Sequence, residues 1–307
     1  MTYLQSIGEV IGFLLLSTFS ILDGIIRAFI PKKYKMKNIG GEIALVTGGG
    51  GGLGRLLSLR LANLGAIVII WDINETGIEE TIKLIRAAGG TCYGYVCDLC
   101  DRTDIYKKAK IIRKEIGKTV KAFLPTMLES NKGHIVSVAS LAGQCGIPKL
   151  IDYCASKFAA MGFDEALRME LEYEGYNINT TVVCPYFIRS TGMFDDVQSR
   201  YIPTLSPNAV ADRIIMAMRC NEKYAIIPGY LQILLTLKWI FPWPCVAMFL
   251  RGLVRDVSPS HENNKSCVVA TTTIAEKECI VPSSKDQNVA AIHQQLARRI
   301  SSPERKP

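Results

Sequence analysis

Histidine is scarce: His134, His261 and His293 are the only three among 307 residues, which leaves zinc chemistry short of ligands. Cysteine occurs ten times, but Cys97-x-x-Cys100 is the single C-x-x-C, and no second pair or nearby histidine completes a metal site. No metal is expected. Scattered thiols suit a reducing, cytosol-facing compartment better than a disulfide framework. The net charge of +8 comes without a dense basic and aromatic stripe, and Lys32, Lys33, Lys35 and Lys37 crowd into one short segment, so nucleic acid is not an expected partner. No Lys or Arg precedes the first apolar run, Glu9 occupies the place of a positive n-region, and no A-x-A-like site follows. These absences disfavour a cleaved signal peptide. No aromatic residue follows Arg255, and residues 255–307 read as a largely disordered tail.

Hydrophobic residues make up 49% of the chain and charged ones 21%, ample for a buried core. Val10 to Leu22 form an uncharged apolar run, extended past Asp23 and Arg27 by Ile25, Ile26, Ala28, Phe29 and Ile30. The run is short for a clean span, yet an uncleaved anchor is its best reading. The lysines that follow predict that everything downstream faces the cytosol. Residues 1–37 are thus assigned to an anchor and its basic flank. From residue 42 short apolar runs bounded by glycine and polar residues alternate with helix-length segments, the signature of an α/β domain over 38–229. Strands are expected at 42–47, 66–72, 92–97, 134–139, 179–184 and 224–227, in a parallel sheet covered on both faces. Residues 230–254 are apolar but interrupted by Lys238, Pro242 and Pro244, which predicts a lid or a membrane-associated segment rather than a second span.

Chemistry concentrates in Asp152-Tyr153-Cys154-Ala155-Ser156-Lys157. Tyr153 and Lys157 stand four apart and share one helix face. A phenol is a poor base at neutral pH, with an ordinary pKa of about 10, and an adjacent ammonium favours the phenolate. Tyr106 and Lys110 have the same separation. Only the first pair follows a strand ending in a hydroxyl, Ser140 after Ile135-Val136-Ser137-Val138-Ala139.

A second feature is nucleotide-like. The strand Ile43-Ala44-Leu45-Val46 enters Thr47-Gly48-Gly49-Gly50-Gly51-Gly52-Leu53-Gly54 and then a helical pattern. Glycines let the backbone approach a pyrophosphate, and the helix N-terminus holds the anion. Asp72 ends the second strand at about the offset where a carboxylate meets the adenosine ribose hydroxyls; it would repel a 2′-phosphate, favouring NAD over NADP. Asp98, after the third strand, is placed for the adenine edge.

With these residues assembled the chain resembles the short-chain dehydrogenase/reductase family, and within it the membrane-bound retinol and 17β-hydroxysteroid dehydrogenase branch. Thr47-Gly48-x-x-x-Gly52-x-Gly54 is similar to the family's cofactor loop, and Ser140, Tyr153 and Lys157 fall at its catalytic serine, tyrosine and lysine. Trp71-Asp72-Ile73-Asn74, Lys121-Ala122-Phe123-Leu124-Pro125, Phe158-Ala159-Ala160 and Cys184-Pro185-Tyr186-Phe187 carry the likeness to the branch. The resemblance implies a doubly wound Rossmann fold with an N-terminal membrane-anchor helix, and NAD held by Thr47, Gly48, Gly52, Leu53, Gly54, Asp72, Asp98, Tyr153, Lys157, Pro185, Ile188 and Thr191. It implies hydride transfer to or from an apolar alcohol or ketone of the retinol or hydroxysteroid class. It also implies an endoplasmic reticulum or lipid-droplet surface with the catalytic domain facing the cytosol, and pairing of two copies through helices flanking the active site. One part of the family pattern is missing. An Asn-Asn-Ala-Gly strand and a helix bearing a catalytic asparagine belong near Gly117, where Ile116-Gly117 instead meets Lys118-Thr119-Val120, a loss of about forty residues by usual element lengths. The sheet should therefore lack one central strand. This motivates a reading of another class, a non-catalytic membrane or lipid-droplet protein.

Overall fold

The structure is a computed structural model that describes residues 2–101, 124–189 and 202–253. The Gly117–Lys118 junction, the Tyr106 and Lys110 pair, Thr191 and the tail beyond 253 lie outside the described residues.

The chain opens with helix α1 (Thr2–Phe29), which passes without interruption through Asp23 and Arg27. Its segment Ile7–Ile26 comprises 20 residues of mean hydropathy 1.8, none of it buried against the rest of the protein. At 1.5 Å per residue it is about 30 Å long, the thickness of a bilayer's hydrocarbon core. The helix is thus longer than the uncharged run alone predicts, because Ile25 and Ile26 extend the apolar surface beyond Asp23. A short basic helix, α2 (Lys32–Lys35), follows.

The α/β domain contains β1 (Ile43–Thr47), α3 (Gly52–Asn63), β2 (Ile67–Asp72), α4 (Glu75–Ala87), β3 (Cys92–Val96) and α5 (Leu124–Ser130). It continues with β4 (Gly133–Val138), a 3₁₀ turn at Leu141–Gly143, α6 (Ile151–Tyr173), β5 (Ile178–Pro185), α7 (Pro207–Arg219) and β6 (Tyr224–Ile227). All six expected strands are present within about a residue of their predicted bounds, because each is an apolar run closed by glycine or polar residues. Every pairing is parallel, as crossover helices require.

The strands do not form one sheet. They make two three-stranded sheets, ordered β1-β2-β3 and β4-β5-β6, and among the described residues no ladder joins β1 to β4. Val136 of β4 packs against the cluster that holds Val46 of β1, so the two edges face each other. This seam lies where the resemblance places the missing strand, beside β1 in the centre of the sheet. In a parallel ladder alternate residues direct their backbone groups to each side, so the seam-facing amides and carbonyls of β1 and β4 have no ladder partner among the described residues. A buried orphan costs about 1–3 kcal/mol, which favours letting water reach the seam. Burial agrees: Val68, Ile69, Ile70 and Trp71 of β2 and Val182, Val183 and Cys184 of β5 are buried, whereas Ile43, Ala44 and Leu45 of β1 and residues 133–137 of β4 are only half-buried.

Helices hold the halves together. Leu53 and Leu57 of α3 pack into the cluster of Val183, Val210 and Ile214, while Ile215 and Met218 of α7 join the cluster of Val68, Ile70 and Val46. Full burial of such a side chain is worth about 1.5–3 kcal/mol, and together these contacts do what a ladder would otherwise do. Arg60 of α3 reinforces them, with Nε 2.6 Å from Asp212 and Nη2 3.2 Å from the Asn208 carbonyl. At the seam's lower end Lys132 donates to Glu42 at 2.6 Å.

Beyond β6, α8 (Leu231–Thr236), a 3₁₀ turn (Leu237–Trp239) and α9 (Trp243–Leu253) form a helical pair. Pro244 falls in the first turn of α9, where the missing N–H is harmless. The prolines thus divide two short helices, and no second helix both long and apolar enough to cross a membrane occurs among the described residues.

Candidate active site

The switch from β1 to α3 builds the first wall. Gly54 sits where any side chain would collide with the turn, since a Cβ there would lie 2.0 Å from the Gly48 carbonyl oxygen. The turn is held from behind by residues the sequence reading did not single out. Arg55 donates through Nη2 to the Gly50 carbonyl at 2.7 Å and through Nε to Thr81 Oγ1 at 3.0 Å. Buried Thr81 donates in turn to the Gly49 carbonyl at 3.1 Å. Their signal is visible only in three dimensions, because Thr81 belongs to α4. Asp72 completes the support: its carboxylate accepts from the Gly50 amide at 2.9 Å and the Asn74 amide at 3.0 Å.

The second wall comes from β4 and α6. Extension of β4 past Val138 carries Ser140 to the start of the 3₁₀ turn, where its hydroxyl accepts from the Ala142 amide at 3.2 Å. This turn packs tightly on α6. A Cβ on Gly143 would lie 2.7 Å from the Lys157 carbonyl oxygen, so glycine is what lets the Ser140 turn approach the helix. Tyr153 occupies the first turn of α6 and Lys157 the next. The Lys157 ammonium lies 5.6 Å from the Tyr153 ring centroid and donates to the Val138 carbonyl at 3.3 Å.

Burial pushes the Tyr153 phenol above its ordinary pKa, and its hydrogen bond with Ser140 pulls the other way. The lowering expected from Lys157 therefore does not prevail over burial. Burial also moves Lys157 below its ordinary value, which is the usual cost of holding an ammonium in a cleft. Cys145 borders the same space, but burial raises its thiol to about 11, so it stays protonated near neutral pH.

These walls enclose one cavity of about 290 Å³. Gly48, Gly51, Gly52, Leu53 and Gly54 line one end, and Ser140, Tyr153 and Lys157 the other, with Pro185 and Ile188 beside them. Leu141, Cys145, Ile147, Tyr186, Phe187 and Leu250 complete an apolar surround. Of the residues expected at the site, Thr47, Asp72 and Asp98 do not line the cavity; they stand at or just beyond the carboxyl ends of β1, β2 and β3. Asp98 is exposed and accepts from the Cys100 amide at 2.8 Å. Thr191 lies outside the described residues. The Leu141–Ile147 stretch and Leu250 were not foreseen, being apolar residues without a motif.

A glycine turn at a helix N-terminus, beside a tyrosine, lysine and serine at one end of a parallel sheet, defines an oxidoreductase of the doubly wound class. The chain belongs to the short-chain dehydrogenase family, whose sequence profile matches residues 42–119 and 118–201 in two segments that meet at Lys118 and Thr119. It is 37% identical to short-chain dehydrogenase/reductase family 16C member 6 of Bos taurus over 304 residues, covering 85% of this chain and 95% of the relative. It is also 37% identical to human epidermal retinol dehydrogenase 2, covering 78% and 90%, and 34% identical to human 17-beta-hydroxysteroid dehydrogenase 13, covering 76% and 90%. The bovine alignment spans 304 positions but draws on only 85% of 307 residues, so about forty of its positions have no counterpart here. A short-chain dehydrogenase/reductase from Burkholderia phymatum, solved with NAD, shares the fold at a TM-score of 0.58 and 22% identity, covering 66% of this chain and 94% of its own.

Proposed function

We propose that this chain is an NAD-dependent dehydrogenase of apolar secondary or allylic alcohols, of the retinol or hydroxysteroid class, anchored by α1 in the endoplasmic reticulum membrane or on lipid droplets with its α/β domain in the cytosol. The observation that carries the reading is the single cavity joining the glycine turn to Ser140, Tyr153 and Lys157. The cradle fits a dinucleotide: Gly48, Gly51 and Gly52 line the cavity with nothing within 4 Å of where a Cβ would stand, which leaves the backbone of the turn open to a pyrophosphate, and the α3 N-terminus opens onto the cavity. Gly48, Gly52, Leu53 and Gly54 would hold the phosphates, Thr47 and Asp72 the adenosine half, with Asp98 at the adenine edge and Pro185, Ile188 and Thr191 at the nicotinamide end. When bound, the nicotinamide supplies the hydride acceptor for an alcohol or the donor for a ketone.

The chain's own groups manage the proton. Tyr153 takes the hydroxyl proton of an alcohol, or returns one to a ketone. Ser140 hydrogen-bonds the reacting oxygen and, through its bond to the phenol, fixes where Tyr153 points. Lys157 holds a nicotinamide ribose and favours the phenolate once a ligand closes the cleft and strengthens electrostatics. NAD is preferred over NADP because the Asp72 carboxylate repels a 2′-phosphate. The names of the retinol and hydroxysteroid dehydrogenases among the relatives support the substrate class, and the proposal extends to pairing of two copies through helices flanking the active site.

The β1 and β4 edges, which no ladder joins among the described residues, favour a second reading, a non-catalytic membrane or lipid-droplet protein. Titration of the full chain in lipid nanodiscs with NADH, followed by cofactor fluorescence, separates the two. Saturable binding that NAD displaces is the expected result; absence of binding supports the non-catalytic reading.

A further inference from the structure

A second cavity, of about 210 Å³, lies between α8 and α9, and the motif residues do not touch it. Leu234, Leu235, Phe241, Val246 and Leu250 provide its apolar lining. Leu250 also lines the cavity that holds Tyr153, so the two spaces meet at that one side chain. An engineered apolar cavity of about 150 Å³ stays dry and accepts benzene, so this one has room for a ring or a short length of alkyl chain. The one ammonium on its wall is turned to other work. Lys238 donates to the Gln144 carbonyl at 2.9 Å, and its Nζ sits 5.1 Å from the Trp239 ring centroid and 5.8 Å from that of Phe158. Gln144 directly follows the turn begun by Ser140. Lys238 thereby ties the wall of the second cavity to the catalytic turn, leaving the interior to hydrocarbon.

We infer that the space between α8 and α9 is a subsite for the distal, non-reacting hydrocarbon of a long apolar alcohol, with Leu250 standing between it and the reaction chamber. The inference rests on the dehydrogenase reading for the position of the alcohol's reactive end. Its logic is continuity: among the described residues, a molecule whose hydroxyl reaches Tyr153 finds an uncharged, adjoining space past Leu250. Uniform binding of a remote chain lowers KM without changing kcat. A bulky side chain at position 234, which lines the second cavity alone, would therefore penalise long alcohols and leave short ones alone.

Two measurements on the full chain in nanodiscs test it. The first uses a long-chain primary alcohol carrying a diazirine at its far end, with the labelled peptide found by mass spectrometry. Label is expected within residues 231–250, competed by unlabelled alcohol and lost in Leu250→Trp. Label elsewhere, or label in 231–250 that survives Leu250→Trp, overturns the inference whatever the enzyme's activity. The second compares KM for cyclohexanol and for dodecan-2-ol, both secondary alcohols. Leu234→Trp, at a residue that lines the second cavity and not the first, should raise KM for the long alcohol about tenfold or more, with kcat and the cyclohexanol KM unchanged, and Leu234→Ala should leave both within about twofold of wild type. Equal effects on the two alcohols overturn the subsite. Failure to oxidise either alcohol counts against the dehydrogenase reading instead, and the labelling result still decides the subsite.

Discussion

Asp72 has two tasks at the residue scale, and they separate experimentally. Its carboxylate fixes the glycine turn through the Gly50 amide and, in the proposed complex, reads the adenosine ribose. A charge-assisted hydrogen bond is worth about 1.5–3 kcal/mol, so Asp72→Ala should weaken NADH binding about ten- to a hundredfold. NADPH should weaken far less, because the repulsion vanishes with the contact. Parallel fluorescence titrations with the two cofactors check this, and an equal loss for both would reduce Asp72 to a support of the turn. Tyr153 yields a pH prediction. Burial raises its phenol, and alcohol oxidation needs the phenolate, so kcat/KM for oxidation should climb between about pH 6 and about pH 9. A profile that falls over that range would remove Tyr153 as the base.

His134 connects residue to element. Its ring lies 2.6 Å through Nδ1 from the Lys37 ammonium and 2.8 Å through Nε2 from the Thr181 hydroxyl, which itself donates to the Glu222 carbonyl at 2.7 Å. Neutral imidazole suits both partners, with Nδ1 accepting and Nε2 donating. A second proton would meet Lys37, and burial together with that ammonium holds the pKa down to about 3 against an ordinary 6.5. The unfolded chain binds this proton below about pH 6.5 and the folded one does not until about pH 3, so stability is lost as pH falls through that window. Thermal melting of the α/β domain should drop between about pH 7 and about pH 5, and His134→Gln should flatten the slope.

The seam is the element-scale consequence of the altered chain. Amides of β1 that face it should exchange with deuterium faster than those of β2, whose neighbours on both sides are paired. Grafting the relative's strand and helix between Gly117 and Lys118 should abolish the difference and raise the melting temperature, whereas uniform slow exchange across β1 would mean that the sheet is closed. Element by element, much of this was legible beforehand. Apolar runs closed by glycine marked the strands, and the spacing of Ser140, Tyr153 and Lys157 marked one wall of the site. The remainder was hidden because it depends on distant segments meeting. Thr81 supports the glycine turn from α4, Gly143 admits the Ser140 turn to α6, and Leu250 closes the cavity from α9 without any motif of its own.

At the scale of the whole molecule, a membrane-length helix, an α/β domain and an exposed aromatic edge occur in one chain. Trp239 is 84% exposed, and Ile240, Phe241 and Trp243 beside it are also exposed, an arrangement suited to a lipid interface. The chain should stay in the membrane pellet through carbonate extraction, and removal of residues 1–31 should release it or leave only salt-sensitive attachment. The account's central claim is that the cavity between the glycine turn and Tyr153 performs hydride transfer despite the seam. NADH formation from all-trans-retinol by membranes carrying the full chain, compared with Tyr153→Phe at matched expression, tests it most directly. Steady NADH production by the wild type and a fall of about a hundredfold or more in the variant are expected, with NADH binding retained by both. Equal rates from the two, or none from a wild type that binds NADH normally, would contradict it.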